Sequence, residues 1–399
     1  MWTDCLGNPV TLADGRGLAA VDDFVEGFIA SEARAVNVLA AAGHDDSPIV
    51  QAYAAAVHMF AESRHAPANA RPFLERAQAR AHDATARERR FIAAVGAWAD
   101  GDIARAIRLH EEQAREFPRD LASVKLGQYH LFNAGDSPGM LRLALHAREA
   151  AADVAYLHGM LAFGYEQCHR LEEAEAAARR AIAIRRKEPW AHHAIAHVML
   201  TQGRHREGRE FMDSVSDTWT GLNSFMVTHN WWHCALFGIE LGDHEGVLRL
   251  YDERVWGVAK DYTQDQVNAV SLLARLELAG VDVAGRWHEL AAYLAARTSD
   301  HVLPFLDVHY LYGLARAGWP EADTLMRGIE AHAARSPGVW RDVALPTARG
   351  MLAHARGDFA RAAEQLGLAL PRMAEIGGSH AQRDLFTRIL RDALARGPR

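Results

Sequence analysis

A turn-like dipeptide recurs along the middle of the chain at a constant interval. Four such turns begin 34 residues apart, at Gly101, Gly135, His169 and Gly203. Two more Gly-Asp turns follow at Gly242 and Gly357. A fixed interval of this length is the signature of a repeat protein, in which each unit packs on its neighbours. A chain of 399 residues with this pattern is expected to extend its core by repetition.

The segments between the turns have the pattern of amphipathic helices. Apolar residues recur at the helical period, as in Phe91, Val95 and Trp98. At the Gly-Asp turns Gly supplies the left-handed backbone that ends one helix, and the following Asp can cap the next. His169-Arg170 and Gly203-Arg204 are variants of this turn. No alternating, strand-like segment competes with this interpretation. The sequence therefore predicts an all-α fold, a tetratricopeptide-like α/α superhelical solenoid of antiparallel helix pairs.

The regularity of the pattern divides the chain into four predicted regions. Residues 1–46 precede the clear repeats and are expected to form an N-terminal helical cap. Residues 47–212 form tetratricopeptide-like helix pairs, and residues 229–399 form further pairs and a C-terminal helix. Residues 213–228 between them are rich in turn-forming residues. They are predicted to be a long connecting loop and a candidate lid.

Charge, hydropathy and cysteine content exclude several classes of function. A net charge of -7 gives no basic surface for nucleic acid. No stretch reaches the 18 or so apolar residues of a membrane span, and the N-terminus lacks the pattern of a signal peptide. Three cysteines without CxxC spacing do not form a disulfide framework. We therefore expect a cytoplasmic protein that binds neither nucleic acid nor membrane.

The 22 histidines are distributed unevenly, and many fall at positions expected to face the inner wall of the repeats. Phasing on the turns places aromatic, imidazole and carboxylate side chains from neighbouring units in one shared groove. These inner-wall residues are Tyr156, Glu166, Trp190, His193, His197, His229, Trp232 and the adjacent His233.

Two histidine pairs in this set have metal-binding spacing. His193 and His197 are four residues apart, as are His229 and His233, so each pair lies on one helix face. Such a pair can bind a divalent metal, but the glutamate that follows the first histidine in zinc peptidases is missing. The alternatives are a polar ligand or catalytic pocket, and histidines that satisfy hydrogen bonds across packed helices. We predict no cofactor, with a divalent metal as an alternative.

Two later segments add polar candidates. Asp300 and His301, followed by Asp307 and His309, provide acids that can orient an imidazole for general-base chemistry. Asp300 can equally cap the helix that follows. Near the C-terminus, Ser379 and Gln382 have the spacing of a capping box. Arg383 and Asp384 beside it are expected to form an ion pair or an anion clamp, whereas Cys234 is expected to be a buried hydrophobe.

Several of these stretches resemble the tetratricopeptide repeat protein 38 family. The resemblance lies in the segments 190–198, 229–236, 300–309 and 377–384, and it extends over most of the chain. It implies a solenoid fold and no settled biochemical activity. It also implies that nine polar residues belong to the family pattern: His193, His197, His229, His233, His301, His309, Asp300, Asp307 and Arg383. His380 departs from that pattern, in which an asparagine stands at this position, so a catalytic role for His380 is not implied.

The first functional hypothesis is a pocket on the concave face that binds a small polar metabolite. The sequence leaves open whether the chain is an enzyme. If it is, the expected activity is acid–base or hydrolytic chemistry. The candidate catalytic residues are His193, His229, His233, Asp307, His309, Asp300 and His301. The candidate ligand-binding residues are Trp190, His197, Tyr156, Glu166, Asn230, Trp232, Arg383 and Asp384. The alternatives are a scaffold that binds a peptide or protein, and a metal site formed by His193, His197, His229 and His233.

Overall fold

A computed structural model describes residues 2–397, and within them the chain is helical almost throughout. Met1, Pro398 and Arg399, at the ends of the predicted first and last regions, lie outside this part. A two-stranded ribbon comes first, with strands β1 (Trp2–Thr3) and β2 (Pro9–Val10). The helices are α1 (Leu18–Ala30), α2 (Val38–Ala41), α3 (Pro48–Met59), α4 (Ala66–Ala79), α5 (Ala86–Ala99), α6 (Ile103–Glu116), α7 (Leu121–Asn133), α8 (Ser137–His146), α9 (Ala155–Gln167), α10 (Leu171–Ile184), α11 (Pro189–Thr201), α12 (His205–Val215), α13 (Ser224–Glu240), α14 (His244–Leu250), α15 (Thr263–Leu278), α16 (Arg286–Leu294), α17 (Pro304–Arg316), α18 (Glu321–Arg335), α19 (Leu345–Ala355), α20 (Phe359–Ala369) and α21 (His380–Arg396).

Short helical segments of other types complete the description. The 3-10 segments are Gly15–Gly17, Ala33–Asn37, Ala81–Asp83, Ser216–Thr218, Ala295–Arg297 and Leu370–Ile376, and the π segments are Tyr251–Val255 and Trp340–Ala344. Consecutive helices pack as antiparallel pairs, for example α3 with α4, α9 with α10 and α19 with α20. The prediction of an all-α fold made of tetratricopeptide-like helix pairs is confirmed.

The turns between paired helices have the predicted backbone. The four turn residues Gly101, Gly135, His169 and Gly203 all have positive φ, between 55° and 79°. Asp102 and Asp136 cap α6 and α8, because their side chains accept hydrogen bonds from backbone N–H groups three residues on. A left-handed residue followed by a capping carboxylate thus ends one helix and starts the next.

The chain forms two compact units. The first comprises the residues up to Phe132 together with Asp136–Val198 and Ser214–Met226. Its core includes the stacked rings of Phe24 and Tyr53, whose centroids are 4.1 Å apart. The second comprises Asn133–Gly135, Met199–Asp213 and the residues from Val227 onward, with Tyr310, Tyr312 and Phe386 fully buried in its core.

The segment predicted as a long connecting loop, residues 213–228, is mostly helical. Helix α12 runs to Val215, a 3-10 turn follows, and α13 begins at Ser224. The irregular part is therefore residues 219–223, much shorter than predicted. Trp219 and Leu222 are buried within it, and the Asn223 side chain accepts a hydrogen bond from the Met226 backbone N–H, which starts α13 early.

The predicted helical cap begins with the two-stranded ribbon, which the sequence did not indicate. Hydrogen bonds connect this ribbon to the first repeats. The Thr11 N–H and hydroxyl donate to Glu88 on α5, at 2.7 and 2.8 Å. The Arg119 guanidinium donates to the Leu6 carbonyl at 2.9 Å, and Arg87 donates to the Pro9 carbonyl at 3.0 Å. These bonds satisfy backbone groups that a short ribbon would otherwise leave open.

Across residues 2–397, no helix combines the length and the apolar character that crossing a membrane requires.

Candidate functional site

The two histidine pairs predicted from spacing lie on α11 and α13, and within each pair the rings are in contact. His193 and His197 approach through their Nε2 atoms, which are 3.0 Å apart. The ring centroids of His229 and His233 are 4.9 Å apart. A separation of four residues places both rings of a pair on one face of the helix, which is why the sequence could predict these contacts.

Polar side chains on neighbouring helices orient one histidine of each pair. A Glu166 carboxylate oxygen on α9 lies 3.4 Å from His197 Nδ1. On α15 the Asn268 side-chain oxygen lies 2.9 Å from His229 Nδ1. At His229 the Asn268 oxygen can only accept, so the proton is on Nδ1 and Nε2 is the candidate ligand atom. This arrangement is typical of metal-binding histidines, whose other ring N–H donates to an oxygen.

Both histidine pairs lie in the protein interior. At most 2% of each of the residues His193, His197, His229 and His233 is exposed. Imidazole nitrogens suit zinc, copper, iron and nickel, whereas magnesium and calcium prefer oxygen ligands. These residues are therefore the ones that could hold a metal.

Aromatic rings pack against both pairs. Phe163 and Trp190 have their ring centroids 5.1 and 5.3 Å from that of His193. The Trp232 ring is stacked on His229 at 5.1 Å, and Trp232 is fully buried. Such packing fixes the ring orientations and keeps bulk water away from them, which strengthens polar interactions at the imidazoles.

A separate His–Asp pair forms in the second unit, at the start of α17. His301 Nδ1 lies 2.6 Å from Asp307 Oδ2. Burial raises the pKa of Asp307, and the bond to His301 opposes that shift. Asp300 instead lies 3.5 Å from Arg297.

His309 is buried on the same helix, and its Nδ1 contacts the Phe305 carbonyl oxygen at 2.7 Å. Burial lowers the pKa of His309 to about 4, so its imidazole is neutral near pH 7. Its Nε2 atom makes no hydrogen bond within the described residues. His309 is thus a buried, uncharged histidine. The Asp307 carboxylate contacts His301.

The capping box predicted at Ser379 and Gln382 is present at the start of α21. Arg383 next to it donates to the Gly378 carbonyl. Asp384 accepts hydrogen bonds from Arg275 at 2.9 Å and from Arg388 at 2.5 Å. The Asp384 carboxylate therefore accepts hydrogen bonds from two arginines outside the capping segment, Arg275 and Arg388.

The remaining predicted ligand-binding residues are buried or half-buried. The Tyr156 hydroxyl donates to Glu26 at 3.2 Å, and the Trp190 indole N–H donates to the Ser31 hydroxyl at 2.9 Å. Asn230 is fully buried on α13, and its amide makes no hydrogen bond within the described residues. Cys234 is also fully buried, and burial raises the pKa of its thiol, which disfavours a nucleophilic role.

Two polar residues of the site were not predicted. Asn268 supports His229 from a helix in the next repeat, where the spacing of turns departs from 34 residues and phasing no longer applies. Glu188 is fully buried just before α11, beside Gly159. A glutamate ahead of a helix-starting proline would ordinarily be exposed, so no local signal indicates its burial.

Comparison with known proteins adds little about function. No protein-family model matches the chain. It is similar to a Rap protein complexed with competence and sporulation factor, at 11% identity and a TM-score of 0.37, over 86% of this chain and 99% of that one. It is also similar to the P58(IPK) TPR domain, at 12% identity and a TM-score of 0.23, over 78% of this chain and 98% of that one. A third structure, Naa15/Naa10 bound to HypK-THB, gives 13% identity and a TM-score of 0.28, over 96% of this chain and 62% of that one. These values carry no inference about ligand, partner or family.

Proposed function

We propose that the chain binds a transition-metal ion through its buried histidine pairs, His193 with His197 and His229 with His233. The observation that carries this proposal is the 3.0 Å approach of the Nε2 atoms of His193 and His197, two buried imidazoles four residues apart on one helix. Facing nitrogens of this kind repel unless a proton or a metal lies between them. A bound cation would interact favourably with the lone pairs of both rings in a pair.

The donor set indicates the class of metal. Neutral imidazoles favour zinc, copper, iron or nickel over magnesium or calcium. Two histidines four residues apart on a helix can supply two ligands to such a metal. The carboxylate of Glu166 and the amide of Asn268 would then orient the ligand rings.

Direct measurement of metal content tests this proposal. Purified protein should contain at least one equivalent of metal by elemental mass spectrometry, or take up at least one equivalent of Co²⁺ with visible absorption bands. His193→Gln and His229→Gln should each lower the amount of bound metal while the helical circular dichroism is retained. His82→Ala is the matched control, because His82 is 77% exposed and outside the cluster. Wild-type protein that neither contains nor takes up metal contradicts the proposal.

We further propose a small polar metabolite as a second ligand, with acid–base or hydrolytic chemistry as the candidate activity. The observation that favours it is the 2.6 Å contact between His301 and the buried Asp307, an arrangement suited to a general base. Residues 219–223 are the irregular part of the segment predicted as a candidate lid, residues 213–228. Four further interpretations stay predictions. They are a cytoplasmic location, membership of the tetratricopeptide repeat protein 38 family, the division of the chain into four regions, and the alternative function as a scaffold that binds a peptide or protein.

Catalysis by the His301–Asp307 pair can be tested separately from metal binding. Purified protein screened against polar esters, amides and phosphoesters should turn over at least one class. His301→Gln should lower the turnover rate at least about a hundredfold, in line with the contribution of a general base. A variant as active as the wild type contradicts the role of the pair.

A further inference from the structure

A cleft of about 370 Å³ lies in the second unit, where helices α15, α17, α19 and α21 pack together. Its volume falls in the range of small-molecule sites. The lining combines apolar side chains with charged and hydrogen-bonding ones. Among the described residues, neither the histidine pairs nor His301 and Asp307 line this cleft. A ligand bound here would therefore be separate from the sites described above.

Three residues that line the cleft form a chain of hydrogen bonds. The Tyr312 hydroxyl lies 3.2 Å from His354 Nδ1, and His354 Nε2 lies 2.9 Å from Asp392 Oδ2. The Asp392 carboxylate can only accept, so the imidazole proton is on Nε2. Burial lowers the pKa of His354, and the Asp392 carboxylate opposes that shift. The imidazole is therefore neutral near pH 7, and its Nδ1 accepts a hydrogen bond from the Tyr312 hydroxyl.

The direction of this chain decides what Tyr312 can offer to a ligand. Its single hydroxyl hydrogen is directed at His354, so only the lone pairs of its oxygen remain. Tyr312 and His354 are 1% and 5% exposed, so the packing around them holds this arrangement in place. A ligand group that reaches the Tyr312 oxygen must therefore be a hydrogen-bond donor.

Three carboxylates also line the cleft, from Glu277, Asp282 and Asp392. One oxygen of Glu277 accepts a hydrogen bond from Arg316 at 2.7 Å, and one oxygen of Asp392 accepts from His354. The other oxygen of Glu277 and that of Asp392 make no hydrogen bond with the described residues. These two side chains are 24% and 25% exposed, so a small molecule can reach their open oxygens.

The charges of the lining do not cancel. Two guanidiniums, from Arg316 and Arg396, accompany the three carboxylates, and with His354 neutral one negative charge is left over. Each arginine already pairs with one of the acids, Arg316 with Glu277 at 2.7 Å and Arg396 with Asp392 at 3.4 Å. An anionic ligand would have to displace one of these acids from its arginine. A singly charged cation instead brings the lining to neutrality, so the charges favour a cation.

We propose that this cleft binds an aliphatic amine in its ammonium form. An ammonium has three N–H donors and no acceptor, which matches the open oxygens of Glu277 and Asp392, with the Tyr312 oxygen as a further acceptor. Hydrogen bonds between ionised groups are stronger than those between neutral ones. The aliphatic body would pack on Leu278 and Val281, which also line the cleft. This proposal is independent of both functions proposed above.

Three probes of equal chain length test the ligand class on the intact wild-type chain. Pentan-1-amine, pentan-1-ol and pentanoate are titrated calorimetrically at pH 7 in phosphate buffer with a chelator, so that no bound metal can capture the amine. We expect the amine to bind with a Kd of about 1 mM or tighter. It should bind at least about tenfold more tightly than the alcohol or pentanoate, because its hydrogen bonds are charge-assisted. Absence of amine binding, or a smaller preference for the amine, overturns the proposal.

Two variants test the location of the site. Glu277→Gln and Asp392→Asn each remove one carboxylate charge and should weaken amine binding at least about tenfold, as expected for the loss of a hydrogen bond to a charged group. Glu330→Gln is the matched control, because it removes an exposed carboxylate that pairs with Arg349 outside the cleft, and it should bind the amine like the wild type. Unchanged amine binding in either cleft variant, with its helical circular dichroism retained, would contradict this location. The comparison of the three probes stands on the wild type even if a variant fails to fold.

Discussion

At the scale of single residues, the first unit and the second unit both contain imidazoles that folding keeps neutral. His110 and His309 are each fully buried, and burial lowers their pKa values to about 3 and about 4. The unfolded chain has no such constraint, and its histidines titrate near pH 6.5. Each buried histidine therefore links the stability of the fold to pH.

The direction of that linkage gives a prediction for His309. Between pH 6.5 and about pH 4 the unfolded state binds a proton at this histidine and the folded state does not. The free energy of unfolding therefore falls as the pH falls. The loss approaches about 1.4 kcal/mol per pH unit for each such histidine. Urea unfolding of metal-free protein at pH 7 and pH 5 should show a smaller loss in His309→Gln than in the wild type. The exposed His82→Ala should behave like the wild type, and equal losses in all three proteins would contradict this assignment.

At the scale of elements, the turns between paired helices depend on a backbone conformation that glycine adopts readily. Gly101 has φ of +79°, and a Cβ added there would meet no atom within 4 Å. Any cost of Gly101→Ala is therefore backbone strain, which we expect to be about 1 kcal/mol. Gly367 lies exposed inside α20 with equally free space, and Gly367→Ala should stabilise the fold by about 0.5 to 1 kcal/mol. Chemical denaturation measures the change in the free energy of unfolding for each variant. Changes of the same sign in both variants would contradict the explanation.

These elements also show why part of the molecule could be predicted. The turns and the His193–His197 contact depend on residues close in sequence, where helical geometry alone decides which side chains meet. The contact of Asn268 with His229 joins residues 39 positions apart. The burial of Glu188 likewise depends on a neighbouring helix, where Gly159 leaves room for the carboxylate. Neither contact has a local signal, so the fold could be predicted well and the support of the site could not.

At the scale of the whole molecule, a bound metal should stabilise the protein, because the unfolded chain does not hold the histidines of a pair in place. Binding to the folded state alone adds about 2.7 kcal/mol when the free metal is at a hundred times its dissociation constant. Calorimetry before and after dialysis against a chelator should show a fall in Tm of several degrees, reversed by adding Zn²⁺. His193→Gln should show a smaller fall and a smaller recovery. An unchanged Tm in metal-loaded and metal-free wild type would contradict a role of the metal in stability.

The N-terminal ribbon has a consequence for the order of events during synthesis. Residues 2–11 are joined by hydrogen bonds to Glu88, Arg87 and Arg119, so the partners of the ribbon are made about a hundred residues after it. At ordinary translation rates that interval is about 5 to 20 seconds. The ribbon must therefore leave the ribosome unpaired, and it forms these hydrogen bonds only after α5 and Arg119 have emerged. A chaperone that binds early nascent chains would meet the ribbon before its partners exist.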